Sequence, residues 1–164
     1  MMPDSDRVRV DPATTDDADA VTDLWVALAA GQRRYGATLR AEANRGAVRE
    51  WVARAAVTEE LLVARSGEEV VGFVGFELDR NGYERDRTRG TVSNLFVVPG
   101  RRGEGIGTEL LDAAEEALRE AGADAVALEA LADNDLARDF YADRGYEPHR
   151  VELTKPLAES DTHS

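Results

Sequence analysis

Apolar positions along the chain change period several times, and each change marks an element. Val8 and Val10 alternate with polar neighbours before Pro12, which predicts a short strand over residues 7–11. A helical spacing follows. Ala20, Val21, Leu24, Trp25, Leu28 and Ala29 share one face over 17–32. Thr14, Thr15 and Asp16 are its N-cap candidates, and Asp16, Asp17 and Asp19 sit at its positive end. Val48, Trp51, Val52 and Ala55 mark a second helix over 47–57; residues 33–46, with a break at Gly36, are polar and without period.

Leu61–Arg65 and Val70–Leu78 read as a hairpin turning at Ser66, Gly67 and Glu68. A charged loop over 81–89 holds Tyr83. Residues 92–98 form an apolar, β-branched run stopped by Pro99 and Gly100, as a buried strand would be. Ile106, Leu110, Leu111, Ala114, Ala117, Leu118 and Ala121 then predict a helix over 103–121, with Gly122 just past its end. A strand is expected over 124–130, with Ala125, Ala127 and Glu129 on one face and Val126 and Leu128 on the other. Asp133, Asn134 and Asp135 offer caps for a helix over 136–144 that stops at Gly145. A last strand is expected over 146–153, and a frayed polar tail from Pro156 onward. The predicted order is β-α-α-β-β-β-α-β-α-β, an α/β chain.

Between the 92–98 strand and the helix after it lie Arg101, Arg102, Gly103, Gly105 and Gly107. A glycine loop opening a helix is suited to phosphate. The first turn has backbone N–H groups without partners, the helix dipole favours an anion, and glycine lets the backbone come close. Two phosphate loops are excluded. A Walker loop needs Gly-Lys-Ser/Thr, and the chain's single lysine is Lys155. A dinucleotide loop needs G-x-G-x-x-G, and the third glycine position holds Thr108 or Leu110, depending on register.

Composition narrows the picture further. The 164 residues suffice for a single domain with a core over about 7–157, and no linker or internal repeat divides them. The absence of cysteine excludes disulfides and thiolate chemistry. His149 and His163 are too few and too far apart for a metal cluster, so no metal is expected. No apolar h-region or membrane-length run is present, and a cytoplasmic protein without membrane contact is expected. A net charge of −13 argues against a nucleic-acid partner. The basic residues are nineteen arginines and one lysine against thirty-three acids. That ratio fits either a GC-rich coding bias or adaptation to a salt-rich, halophilic cytoplasm.

The loop Arg102-x-x-Gly105-x-Gly107, preceded by Leu95-x-Val97-x-Pro99, resembles the acetyl-CoA-binding signature of the GNAT superfamily of N-acetyltransferases. A second stretch, Leu128-Glu129 through Asn134, Ala137 and Tyr141 to Gly145-Tyr146, is similar to the same family's C-terminal signature. The resemblance implies a GNAT-type fold: a mixed, mostly antiparallel sheet flanked by helices, with central strands that splay apart. The pantetheine arm lies in that gap and is bonded like an added strand. It also implies acetyl-CoA as co-substrate, with direct attack by a primary amine in a ternary complex. Backbone groups of Leu95, Phe96 and Val97 would follow the pantetheine and acetyl carbonyl, one N–H serving as oxyanion donor. Arg102, Gly103, Glu104, Gly105, Ile106, Gly107 and Thr108 would cradle the pyrophosphate, with the Glu104 carboxylate turned outward.

Within this resemblance Tyr141 is the candidate general acid for the leaving thiolate, against the plainer reading of a packing aromatic. Asn134 would cap its helix and bond the pantetheine arm. Glu129 is the candidate base, against a solvated acid at a strand end. Arg138 and Arg144 read as solvated or paired helix residues, and His149 has no assigned role. Acceptor identity would lie in loops 33–46 and 79–89 and in the last strand. A small cationic amine, a protein lysine and an N-terminal amine all remain open, as does a homodimer. The rival class is a non-catalytic acyl-CoA-binding regulatory module; a nucleotide-phosphate enzyme is weakened by the missing Walker lysine.

Overall fold

The structure, a computed structural model, describes residues 8–33, 40–79 and 88–157. Arg7, Gly36, Tyr83 and the end of the tail, with residues 34–39 and 80–87 of the two loops expected to face the acceptor, lie outside the described residues. The elements are β1 (Val8–Pro12), α1 (Ala18–Gln32), α2 (Arg45–Val57), β2 (Leu61–Ser66), β3 (Glu69–Leu78), β4 (Arg89–Val97), α3 (Ile106–Glu120), β5 (Ala125–Leu128) and α4 (Asp135–Ala142). The five strands form one sheet in chain order. The first three pairings are antiparallel and β4–β5 is parallel. Among the described residues no helix is long and apolar enough to cross a membrane.

The sheet separates two apolar clusters, which is why β3 reads as a nearly continuous apolar run. On one face Val21, Trp25 and Val52 of α1 and α2 meet Leu61, Val63, Phe73 and Phe96. On the other, Ile106, Leu110, Leu111, Ala114 and Leu118 of α3 meet Ala64, Val71, Val74 and Val92. Helix α3 lies so close to β4 that a Cβ on Gly90 would stand 2.6 Å from Leu118 Cδ2. A chelated ion pair fastens α1 to the sheet: Arg65 donates to both Asp17 oxygens, at 2.7 and 2.6 Å. Those hydrogen bonds from Arg65 hold the Asp17 carboxyl below the usual carboxylate range.

The register of β4 creates the gap that the resemblance implies. Gly75 pairs with Asn94 and Phe76 with Val92, so Ser93 is an extra residue in β4. Such a bulge bends its strand and increases the local twist. The pairing of β5 stops at the same point, with Val92 opposite Leu128. Residues 89–92 are therefore flanked on both sides, and residues 93–97 by β3 alone.

The last predicted strand does not form. Residues 146–157 carry no strand, and beyond Tyr146 they are exposed, Val151 and Leu153 at 75% and 89%. Tyr146 is instead drawn onto α3, where its hydroxyl donates to Glu115 Oε2 at 2.6 Å. Pro148 then removes an N–H that a ladder would need. The observed sheet ends at β5.

Candidate active site

Only part of β4's exposed edge is available for pairing. Val98 N donates to Val71 O at 2.9 Å, which makes 98–71 a hydrogen-bonded pair in the antiparallel ladder. By alternation, Phe96 spends its backbone groups on Phe73, while those of Leu95 and Val97 point away from β3 into the gap. Val97 O accepts from Arg102 Nε at 2.9 Å. The N–H groups of Leu95 and Val97, with Leu95 O, are thus the polar groups that this edge presents. Of the three residues singled out on β4, Phe96 contributes through its ring, which lies under the Arg102 guanidinium at 5.4 Å.

The strand ends in a short 3₁₀ turn at Pro99–Arg101, and the glycine loop follows. Gly103 and Gly105 adopt φ of +84° and +85°, the left-handed region that disfavours side-chain-bearing residues. Gly105 is the N-cap of α3, and no side chain caps the helix there. The first amide bonded within the helix is Glu109 N, to Gly105 O at 3.1 Å. The N–H groups of Ile106, Gly107 and Thr108 therefore open toward the loop as a helix N-terminus does. Glu104 is exposed and turned back on Arg101, whose Nε donates to its carboxylate at 3.0 and 3.2 Å. Neighbouring Arg102 has no carboxylate partner among the described residues.

Asn134 is the N-cap of α4: its Oδ1 accepts from Ala137 N at 3.2 Å. Two turns along, Tyr141 packs edge-on against Phe140 and Tyr146, in the cluster that also takes in Leu95, Val97 and Leu128. Its hydroxyl has no hydrogen-bond partner among the described residues, yet no buried side-chain polar atom there is left unpaired. The ring is therefore enclosed and the hydroxyl reaches accessible space. Burial pushes the phenol up from its ordinary value, so it is protonated at neutral pH. Glu129 lies one residue beyond β5 and is exposed, next to the last β4–β5 pair, Val92–Leu128.

One arrangement escaped the sequence reading. The end of α4 docks on the first turn of α3. A Cβ on Gly107 would touch the Phe140 ring at 3.5 Å. Arg144 is half-buried there and donates from Nε to Thr108 Oγ1 at 3.2 Å. The spacing of residues 136–144 shows a helix face but not which element thirty-six residues earlier receives it.

The profile of the Acetyltransferase (GNAT) family matches residues 20–146. The chain belongs to the GNAT family. This GNAT chain is 34% identical over 96 residues to an aminoalkylphosphonate N-acetyltransferase of Salmonella typhimurium, a match covering 58% of the chain and 61% of that protein. It is 31% identical over 139 residues to a mycothiol acetyltransferase of Propionibacterium freudenreichii, covering 85% of the chain and 43% of that protein. The matches thus span 61% and 43% of the length of these relatives, under two thirds in both. Among solved structures, an aminoglycoside N-acetyltransferase in complex with CoA superposes with a TM-score of 0.74 at 15% identity, over 96% of this chain and all of the other. That likeness establishes the fold: a GNAT α/β architecture built on a five-stranded mixed sheet.

Proposed function

We propose that this chain is an acetyl-CoA-dependent N-acetyltransferase acting on a primary amine in a ternary complex. The observation that carries the reading is the uncapped N-terminus of α3 beside the open β4 edge. One feature suits a diphosphate and the other an amide-bearing arm, and the chain between them sets their spacing. Arg102 and the groups of residues 103–108 would hold the pyrophosphate, with Asn134 bonding the arm. When bound, acetyl-CoA supplies an activated acyl thioester.

The chain's own groups then have separate tasks. The N–H of Leu95 or Val97 donates to the carbonyl oxygen as negative charge develops there. Glu129, exposed just beyond β5, takes the proton of the acceptor ammonium, directly or through water. Tyr141, kept protonated by burial, gives its proton to the departing sulfur as the C–N bond forms and the C–S bond breaks, and the proton that the acylated nitrogen then releases restores the phenol through solvent. The names of the relatives support an amine acceptor. The acid-rich chain favours a cationic one, such as a polyamine, an aminoglycoside-like amine or a protein amine.

The test is thiol release from acetyl-CoA across a panel of amines, with mass detection of product and thermal shift by CoA run in parallel. Release with at least one amine, and a melting shift lost in Gly105→Glu, are expected. That substitution puts bulk and negative charge where phosphate sits. A melting shift without release for any amine would favour the non-catalytic acyl-CoA-binding module. Equal CoA binding by Gly105→Glu and wild type would remove the loop from the site.

A further inference from the structure

We propose that Arg144 is a coenzyme-binding residue whose guanidinium, with the α3 amides, grips the pyrophosphate of the acyl-CoA. The inference rests on the acetyl-CoA reading above and adds to it a residue from outside the glycine loop.

The first argument is where the charge sits. Arg144 follows the end of α4, yet its Nε and Nη2 both donate to Thr108 Oγ1, in the first turn of α3. That turn is the positive end of a helix, an unfavourable place for a cation unless an anion joins it. Arg45, Arg49, Arg65, Arg89, Arg101 and Arg119 all have carboxylate partners. Arg144, like Arg54, Arg102 and Arg138, has none among the described residues, in a chain of net charge −13.

The second argument is preorganisation. The guanidinium lies over the Phe140 ring, 3.7 Å from its centroid. Nη1 is anchored on Phe140 O at 2.9 Å. With stacking on one side and a backbone anchor at one corner, the plane is fixed before any ligand arrives. What faces the turn is the Nε–Nη2 edge, whose two parallel donors match two oxygens of a phosphate. A single hydroxyl serves both donors here, and the Thr108 hydroxyl keeps its own proton to donate. A purely structural arginine at this position would need only the anchor on Phe140 O, which closes the end of α4. The anchor does not account for the edge being aimed at α3.

The discriminating experiment compares three acetyl donors: acetyl-CoA, its 3′-dephospho form, and acetyl-pantetheine, which has no phosphate. Arg144→Gln should raise the Kd of the first two by the same factor, roughly ten- to a hundred-fold, as loss of charge-assisted bonds does. It should flatten the dependence of log Kd on log KCl and lower kcat/KM for acetyl-pantetheine much less than for acetyl-CoA. Arg144→Lys should fall between, because it keeps the charge and loses the fork. An equal loss on acetyl-pantetheine would make Arg144 structural and overturn the proposal. A loss on acetyl-CoA alone would move the contact to the 3′-phosphate, and an unchanged Kd would remove it altogether. Failure of the underlying reading looks different: wild-type protein would then bind none of the three donors, and the proposal would fall with it.

Discussion

Helices α3 and α4 are both amphipathic and both contribute to the apolar cluster on the same side of the sheet, but they use their faces differently. Helix α3 sinks Ile106, Leu110, Leu111, Ala114 and Leu118 out of solvent. Helix α4 has no buried residue, and its Leu136 is 79% exposed. What holds α4's C-terminal end is a set of directional contacts: Phe140 over Gly107, Arg144 on Thr108, and Tyr146 on Glu115. An apolar stripe can thus anchor a core in one helix and, in its neighbour, line a cleft with half-covered aromatic rings. Substitutions on α3 should register in stability, and those on α4 in catalysis.

The strongest test of that division is Tyr141→Phe, which keeps the ring and removes the proton donor. It should lower the single-turnover rate roughly a hundred- to ten-thousand-fold, with acetyl-CoA affinity and melting temperature nearly unchanged. Because burial raises the phenol's pKa, wild-type kcat should show no loss from its ionisation up to its ordinary pKa of about 10. Glu129→Gln is the companion variant. Its defect should shrink as pH rises and more acceptor amine is already neutral, which Tyr141→Phe should not do. A wild-type rate in Tyr141→Phe would return the residue to packing, and a pH-independent defect in Glu129→Gln would take the base role from it.

Next in size is a matched pair of leucines. Leu110→Ala, fully buried in α3, should cost about 2–5 kcal/mol in denaturant unfolding. Leu136→Ala should stay within about 0.5 kcal/mol of wild type, as exposed substitutions do. Similar losses from the two would mean that α4 packs as deeply as α3. A loss smaller than that of Leu110→Ala is expected at the cap. Asn134→Ala removes the side-chain acceptor for Ala137 N and should cost roughly 1 kcal/mol of stability. If Asn134 also bonds the pantetheine arm, acetyl-CoA affinity should fall with it; a stability loss alone would leave it a cap.

Much of this was legible in the chain. The spacing from Ile106 onward and Gly105 before it locate α3, because a buried helix face and a left-handed cap both demand particular residue types. The run ending at Pro99 locates β4 but starts it late. Arg89 and Gly90 are poor strand formers, and Gly90 is there because Leu118 leaves no room for a side chain. The strand expected over 146–153 failed for a different reason. Alternation at Val151 and Leu153 describes a segment, whereas a strand also needs a neighbour, and Tyr146 is held elsewhere. Arg144 was read as a solvated or paired helix residue, since nothing local records its approach to Thr108.

The bulge at Ser93 also restricts which changes of length β4 can accept. Val92 and Leu95 face the α3 side and Phe96 the α1–α2 side, so two same-side positions are an odd number of residues apart. Removing Ser93 would leave Val92 and Leu95 two residues apart, and strict alternation would keep both on the α3 side with Phe96 opposite. The pairings Phe76–Val92 and Gly75–Asn94 would then be consecutive, and no side chain would change face. What would be lost is the bend and the added twist at Ser93, where residues 93–97 part from β5. Point changes along this strand can be graded by size and polarity, but a single-codon deletion at Ser93 would alter the path of the strand while leaving each side chain on its own face.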